Sequence, residues 1–293
     1  LTTGQTVNLG YDNNGNMTAG VGLAATYNED NKPTSVTRNG VTSTFSYGAD
    51  GMRYKQITGD TITYYIDKTV TREITNSGTI DKTYIGNHTM LLSQVSGAFG
   101  GASDIIHTLT DRLGGVDTLV DGSVHRSSVT DPADLVQQYR SYDIFGKARN
   151  VPTNTNLWDW ADTKRGFTSH EHLPEVELIH MNGRAYDYNL GRFLSVDPFI
   201  QSPSNSQSLN PYSYIMNNPM AGTDPTGYVS MTSGGRAGEI KELECVLGTG
   251  SCKGVELWGN PYTGKTITKS GHSVGNSVER KINVITFTKL FII

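Results

Sequence analysis

Short runs in which polar and apolar positions alternate extend over much of the chain. "TSTFSY" and "DTITYYI" interleave Thr and Ser with aromatic and β-branched residues, a pattern typical of half-buried β-strands. Further strand candidates are "TYYIDKTVTREIT", "KTYIGNHTMLLSQV", "DIIHTLTDRLGGVDTLVD" and "LVQQYRSYDIF". The best helical signal is "DPADLVQQYR", with Asp131 at a capping position and Pro132 at the first helical position, where a bent strand fits equally well. The pattern predicts an all-β fold.

A Tyr-centred repeat recurs among these strands. "GYDNNGNMTA", "TYNEDNKPTSV" and "SYGADGMRYKQ" place tyrosines at 11, 27 and 47, and "SYDIFGKARN" and "AYDYNLGRFL" are later copies. In each copy an aromatic residue ends a strand, Asp, Asn or Gly opens a turn, and Gly or Asn supplies a positive φ. The repeats alone predict a series of hairpins without activity. The aromatic segment "VPTNTNLWDWADTKRGFTSHEHLPEVELIHMNGR" interrupts them and indicates an irregular crossing connection.

Composition agrees with many strands joined by tight turns. The chain has 33 Gly, 15 Tyr against 8 Phe, and 18% charged residues, below the roughly 25% of ordinary globular chains. Its 293 residues suffice for one large all-β unit or two domains. The sequence contains no run of about 18 apolar residues and therefore predicts no membrane span in this piece. Because the sequence begins with Leu1 inside the repeat pattern, we expect a fragment of a longer polypeptide.

Charge and cysteine content change after residue 228. Residues 1–228 contain 16 Lys and Arg against 23 Asp and Glu, whereas residues 229–293 contain 8 against 5. Cys245 and Cys252 also lie beyond this point, and their spacing fits either a small disulfide loop or two reduced thiols. We therefore expect a separate segment to begin there.

Two local motifs indicate neither a metal nor a nucleotide. "HEH" at 170–172 lacks a third ligand at a spacing typical of a metal site. "GNPYTGKT" at 259–266 matches a phosphate-binding loop in letters, but the sequence after it is a poor helix. We expect polar packing at the first, a turn at the second, and no cofactor.

Several longer sequence segments resemble the Rhs/YD-repeat family and its repeat-associated core. They are "DRLGGVDTLVD", "SYDIFGKAR", "RGFTSHEHLPEVELIHMNGRAYDYNLGRFLSVDPFIQ" and "SLNPYSYIMNNPMAGTDPTGY". The resemblance implies a YD-repeat β-hairpin shell over 1–165, a core that closes the shell over 166–228, and a variable C-terminal toxin segment over 229–293. Related shells occur in the C component of insecticidal Tc toxins and in teneurins.

The resemblance also implies self-cleavage by two aspartates. Transferred to this sequence, the aspartic-protease-like pair is Asp197 and Asp224, and the cut bond is Tyr228-Val229. Two carboxylates held close share one proton, so one activates water while the other protonates the carbonyl oxygen. Two further residues, Arg184 and Arg192, are candidates for stabilising the developing charge, and Arg192 is favoured because it lies within "LGRFLSVDP".

The first aspartate departs from the family pattern. Ile200 stands where the phrase DPxG has its glycine, and the segment that leads to Asp224 is lengthened by "QSPSNSQS". The alternative interpretation is structural, because Asp-Pro with Gly at the fourth position is also the sequence of a type I turn. Both interpretations remain open from the sequence.

The basic tail gives the least specific signal. Lys265, His272 and Arg280 are candidate residues of a small nuclease, the only part of the chain for which we expect nucleic acid as a partner, and a solvated basic surface explains them equally well. The expected partners of the whole protein are its own enclosed toxin segment, an immunity protein and a delivery machinery, and the expected location is secreted or cell surface. A non-cleaving surface or carbohydrate-binding module is the main alternative function.

Overall fold

The structure is a computed structural model that describes residues 8–67, 69–97, 103–123, 131–149, 160 and 162–232. This part of the chain contains 21 β-strands, five short 3₁₀ turns and no α-helix. The predicted all-β fold class is thus confirmed. Within the described residues, no helix has the length and apolar character needed to cross a membrane.

The first thirteen strands form one antiparallel sheet in which each strand pairs with its neighbours in sequence. They are β1 Gly10–Tyr11, β2 Met17–Gly20, β3 Leu23–Tyr27, β4 Pro33–Arg38, β5 Val41–Tyr47, β6 Arg53–Thr58, β7 Thr61–Ile66, β8 Val70–Thr75, β9 Gly78–Ile85, β10 Thr89–Gly97, β11 Ser103–Thr110, β12 Val116–Asp121 and β13 Val136–Tyr139.

Three smaller antiparallel sheets follow, of two, four and two strands. Their strands are β14 Ser141–Tyr142, β15 Ala148–Arg149, β16 Glu171–Leu173, β17 Leu178–Met181, β18 Arg184–Asp187, β19 Arg192–Phe193, β20 Gly222–Thr223 and β21 Met231–Thr232.

Four of the five predicted repeats share one loop geometry. At Asp12, Asn28, Gly48 and Asp143 the backbone N–H donates to the carbonyl of the fourth residue onward, and the N–H of the third residue onward bonds back. The copy at Asp187 differs, because there the N–H of the fourth residue onward, Gly191, bonds back. In the other four copies the third residue onward always has a positive φ, as at Gly15 (+81°) and Asn31 (+59°), which Gly and Asn adopt at little cost. The side-chain oxygen Oδ1 of each of Asp12, Asn28 and Asp143 accepts two further N–H groups of its own loop.

The same loop occurs at Asp111, which the Tyr-centred alignment missed. Its N–H bonds Gly115, the Gly114 N–H bonds back, and its carboxylate accepts the N–H groups of Leu113 and Gly115. Thr110 precedes it in place of Tyr. All these loops therefore share Asp, Asn or Gly at the first position and Gly or Asn at the fourth.

The four-stranded sheet packs directly against the thirteen-stranded one. Apolar side chains from both sheets form one buried cluster: Met17, Leu23, Ala25, Val36, Phe45, Leu173, Val176, Leu178, Ala185 and Leu194. Two buried arginines on the large sheet reach carboxylates on the small one, Arg38 to Asp187 and Arg53 to Glu171. This packing fixes the hairpin of β17 and β18, which carries the candidate site.

Two predictions of local structure need correction or refinement. The segment expected to be an irregular connection contains β16 and β17; every residue of β17 is buried, so the strand lacks the polar alternation by which it could be recognised. The helical alternative at "DPADLVQQYR" resolves into a 3₁₀ turn, Pro132–Leu135, capped by Asp131 and followed by β13.

Candidate functional site

The second Asp-Pro pair begins a turn, residues 224–230, that we call the cleavage loop after the cut that the sequence resemblance implies. The Gly227 N–H bonds the Asp224 carbonyl at 3.3 Å, as expected for Asp-Pro followed by Gly at the fourth position. Gly227 has a φ of +75°. The short strands β20 and β21 pair on either side of the loop, so the backbone is held before and after the turn.

The cleavage loop lies on the β17–β18 hairpin with almost no space between the two backbones. The Gly183 N–H donates to the Thr226 carbonyl at 2.8 Å, and the Tyr228 hydroxyl donates to the Gly183 carbonyl at 3.1 Å. A Cβ on Gly183 would overlap the Tyr228 ring, and one on Gly227 would overlap the Met181 carbonyl oxygen. Both glycines are therefore required by close approach.

Arg184, the first residue of β18, joins the two aspartates. One of its terminal guanidinium nitrogens lies 2.7 Å from an Asp197 carboxylate oxygen and 3.7 Å from one of Asp224. Its Nε donates to the Gly227 carbonyl, and its other terminal nitrogen donates to the Pro211 carbonyl at 3.1 Å. The guanidinium also stacks on Phe193, 3.7 Å from the ring centroid. Because Arg184 is buried, these contacts fix one geometry.

Both aspartates are held in a form that resists ionisation. Burial raises the pKa of Asp197 to about 7, against the opposing effects of Arg184 and the Phe199 N–H. Burial also raises the pKa of Asp224, while Arg184 and backbone N–H groups of Tyr228, Gly227 and Val229 oppose the shift. Two adjacent carboxyl groups with raised pKa values are suited to sharing a proton near neutral pH.

The Tyr228–Val229 peptide bond lies against the Asp224 side chain. The Asp224 carboxylate accepts the Tyr228 N–H at 2.9 Å, and the Val229 N–H contributes a further hydrogen bond. The Thr226 hydroxyl oxygen also accepts the Val229 N–H, at 3.2 Å. Val229 is buried, so the bond is shielded from bulk water and surrounded by fixed polar groups.

Ser230, the second residue after this bond, is anchored independently. The Ser230 N–H donates to the Gln201 side-chain oxygen at 3.1 Å, and the Ser230 hydroxyl bonds the same atom. Gln201 comes from the segment that follows Asp197. Neither Gln201 nor Thr226 was singled out from the sequence; only their positions close to the two Asp-Pro pairs could have indicated them.

The structure separates the two candidate arginines. Arg184 contacts both carboxylates, whereas Arg192, the one that the sequence favoured, has no ion pair with either aspartate within the described part of the chain. Arg192 lies in β19, opposite Asp187 in the register. Arg192 was favoured because it is close to Asp197 in the sequence "LGRFLSVDP". Closeness in sequence does not imply contact, because alternate strand positions face opposite sides.

The unexpected Ile200 is compatible with the site. Its φ is not positive, so position 200 does not require glycine. The Phe199 N–H donates to the Asp197 carboxylate at 2.9 Å, and the Asp197 N–H donates to the Pro211 carbonyl. These bonds orient Asp197 without a glycine turn.

The histidines of "HEH" lie behind the site. The His172 ring nitrogen accepts the Phe167 N–H at 3.0 Å, and the His170 ring lies 2.8 Å from the Thr168 hydroxyl. Burial lowers the pKa of His170 to about 4, opposed by hydrogen bonds with the backbone of Pro225 and Asp224. Among the described residues, His, Cys, Asp and Glu form no group of three or more suited to a metal.

Three site candidates, Lys265, His272 and Arg280, lie outside the described residues. Both cysteines and the "GNPYTGKT" segment lie outside them as well. Among the described residues, the structure brings together Asp197, Asp224, Arg184 and the peptide bond beside Asp224.

Comparison with known proteins gives similarity to large bacterial proteins. The chain is 27% identical over 237 residues to the tRNA3(Ser)-specific nuclease WapA of Bacillus spizizenii and 27% identical over 243 residues to the tRNA nuclease WapA of Bacillus subtilis. Each alignment covers 78% of this chain and 9% of the relative. The chain therefore spans a small part of the length of these curated relatives. No protein-family profile matches it.

Solved structures show a similar fold. The crystal structure of TcdB2-TccC3 matches 74% of this chain and 11% of that chain, with a TM-score of 0.56 and 17% identity. The Photorhabdus luminescens Tc holotoxin pore with a mutated TccC3 matches 75% of this chain and 11% of that chain, again with a TM-score of 0.56 and 17% identity. TccC3 has the Rhs/YD-repeat shell that the sequence words predicted.

Proposed function

From the Rhs/YD-repeat resemblance that sequence and fold share, we propose that this chain cuts its own backbone between Tyr228 and Val229. The carboxyl groups of Asp197 and Asp224 act as an aspartic-protease-like pair, and Arg184 holds them together. The shell then encloses a C-terminal effector that is no longer covalently attached. In this proposal the shell occupies 1–165, the core 166–228 and the effector segment 229–293.

One observation carries the proposal. A single nitrogen of buried Arg184 contacts both carboxylates, and the Asp224 carboxylate also accepts the N–H groups of Tyr228 and of Val229, the second of which belongs to the Tyr228–Val229 bond. A turn of the sequence Asp-Pro-Thr-Gly requires none of this, because its own backbone bond closes it. Burying two carboxylic acids and a guanidinium costs stability. Such an arrangement therefore favours a role in chemistry or specificity over a role in stability.

The protonation states suit the reaction. Asp197, with a pKa of about 7, holds the proton and donates it to the Tyr228 carbonyl oxygen. Asp224, whose carboxylate accepts backbone N–H groups, takes a proton from the attacking water. Arg184 stabilises the negative charge that the pair and the tetrahedral intermediate share.

Substitution of the aspartates tests the proposal. Asp224→Asn and Asp197→Asn keep the size of the side chain, replace one accepting oxygen with an NH2 group, and cannot exchange the proton. Each is expected to reduce formation of the fragment that ends at Tyr228 by more than about a hundredfold, measured on denaturing gels during cell-free synthesis of the full chain. Unchanged cleavage in the Asp224→Asn variant would sink the proposal.

The chain provides a matched control for these substitutions. Asp131 also precedes a proline, Pro132, and its side chain caps a 3₁₀ turn at the exposed surface. Asn caps such turns about as well as Asp. Asp131→Asn should therefore leave both folding and cleavage at the level of the unaltered chain.

A second candidate function concerns the tail. The curated relatives are named as tRNA nucleases, and residues 229–293 carry a positive excess of charge, which suits nucleic acid. In this proposal Lys265, His272 and Arg280 contribute to RNA cleavage. Degradation of tRNA by the full chain, abolished by His272→Ala, would support it, and equal degradation by both would contradict it.

Partners and location follow from the same proposal. A toxin segment of this kind needs an immunity protein in the producing cell and a machinery that delivers it to a competitor or host, and the shell is then secreted or displayed at the cell surface. The non-cleaving surface or carbohydrate-binding module is the alternative, and it predicts an intact Tyr228–Val229 bond.

A further inference from the structure

Bond cleavage at Val229 needs a proton donor for the nitrogen that leaves. An amine is expelled from a tetrahedral intermediate only when its nitrogen acquires a proton, and a positioned donor accelerates such steps by about 10²–10⁴-fold. Asp224 is an acid beside this bond, since its carboxylate accepts a hydrogen bond from the Val229 N–H. One hydroxyl lies within reach of both the acid and the leaving nitrogen.

That hydroxyl belongs to Thr226, the third residue of the Asp-Pro-Thr-Gly turn. Its oxygen lies 3.3 Å from an Asp224 carboxylate oxygen, to which it donates, and 3.2 Å from the Val229 nitrogen. Thr226 is buried, and the Gly183 N–H holds its carbonyl at 2.8 Å. The oxygen is therefore fixed between the acid and the nitrogen.

We propose that the Thr226 hydroxyl relays the proton from Asp224 to the Val229 nitrogen, and this rests on the self-cleavage proposed above. When the intermediate collapses, the bond between the Tyr228 carbonyl carbon and the Val229 nitrogen breaks, and its electron pair goes to nitrogen. The nitrogen takes the Thr226 hydroxyl proton, and Thr226 takes the proton that Asp224 had removed from water. The former carbonyl oxygen returns to Asp197 the proton that it had received. The products are the Tyr228 carboxyl group and the Val229 amine, with Asp224 again ionised and Asp197 again protonated.

A hydroxyl relay and a packing role predict opposite orders of substitution. Val keeps the shape of Thr without the hydroxyl, and Ser keeps the hydroxyl without the methyl group. The relay predicts that Thr226→Ser cleaves within about threefold of the unaltered chain and that Thr226→Val is slower by at least about tenfold. If packing is what matters, Val cleaves faster than Ser, and the relay is wrong.

Loop placement must be measured separately from chemistry. In an Asp224→Asn background, which is expected to stay uncut, hydrogen exchange at Tyr228 and Val229 reports whether the cleavage loop remains docked. Equal protection with Thr, Ser and Val at position 226 assigns a rate loss to proton transfer. If the Val variant loses protection, Thr226→Ala against Thr226→Ser decides in its place, and equal rates for these two contradict the relay.

The rate in heavy water gives an independent test. A proton that passes through Thr226 moves together with the one from Asp224, so the rate should fall along a curved line as the deuterium fraction increases. Thr226→Val should change this curve, whereas Thr63→Val, a substitution of a buried Thr in β7, should not. The same curve in all three chains would overturn the relay.

These outcomes separate the relay from the underlying proposal. If the unaltered full chain stays intact, self-cleavage fails and the relay fails with it. If the unaltered chain is cut and depends on Asp224, but Thr226→Val and Thr226→Ala match its rate, only the relay is wrong.

Discussion

The aspartate pair makes the site sensitive to pH at the scale of single residues. Asp197 and Asp224 contact one buried guanidinium nitrogen, and burial raises the pKa of both. A raised pKa means that the folded chain holds a proton that the unfolded chain releases at lower pH. Between the ordinary value of 3.8 and about 7, the folded chain keeps the Asp197 proton that the unfolded chain has lost. The free energy of unfolding therefore falls as the pH rises through this window, and the loss is complete above about 7.

Cleavage should follow the protonation of Asp197. Because the proposed reaction needs this proton, the rate is expected to fall by about tenfold per pH unit above about 7 and to reach a plateau or decline below it as Asp224 is protonated. Chain synthesised in a short labelled pulse and transferred to buffers between pH 5 and 9 would give this profile. A rate that increases steadily to pH 9 would contradict the proton assignment.

Gly227 provides a second test at the residue scale. Its φ is +75° and an added Cβ would overlap the Met181 carbonyl, so Gly227→Ala should cost more than about 2 kcal/mol and lift the cleavage loop off the hairpin. Thermal unfolding and fragment formation would report both effects. Gly40 is the matched control because its φ is +79° with open space around it; Gly40→Ala should cost about 1 kcal/mol and leave cleavage intact.

At the scale of elements, buried ion pairs join the two sheets. Arg38 in β4 and Asp187 in β18 are almost fully buried, and Asp187 also accepts N–H groups of Asn189 and Leu190. Because β18 also carries Arg184, the ion pair between β4 and β18 helps to fix the position of the Arg184 guanidinium. Stability of the sheet contact and geometry of the site are thus linked.

Breaking this pair should be far more damaging than breaking an exposed one. Arg38→Met leaves a buried carboxylate without its partner and is expected to cost about 3–5 kcal/mol, with loss of cleavage. Arg72→Met removes an ion pair with Asp81 on the exposed part of the sheet and should cost less than about 1 kcal/mol. Denaturant unfolding measures both; similar losses would contradict the role of the Arg38 contact.

The elements also show how far the sequence predicts this structure. The hairpin loops at Asp12, Asn28 and Asp143 could be predicted, because a side chain that bonds backbone N–H groups and a positive-φ Gly or Asn are local requirements. β17 could not, since burial on both sides removes its alternation. The contact of Arg184 with Asp197 and Asp224 depends on tertiary packing. The residues could therefore be named from the sequence, but not which of the two arginines makes the contact.

At the scale of the whole molecule, the described residues support the cleavage loop from both sides. The thirteen-stranded sheet holds the four-stranded sheet through apolar packing and ion pairs, and the four-stranded sheet holds the loop. Beyond the bond, Ser230 bonds Gln201, and β21 pairs with β20. These contacts do not involve the Tyr228–Val229 bond itself, so we expect the two pieces to stay associated after a cut and to separate only in denaturant.

Intact-mass measurement of the purified chain in denaturant tests the central claim most directly. Self-cleavage predicts two species, one that ends at Tyr228 and one that begins at Val229, and a single full-length mass for the Asp224→Asn variant. A single mass of 31.9 kDa for the unaltered chain, or a cut at any other bond, would contradict the account.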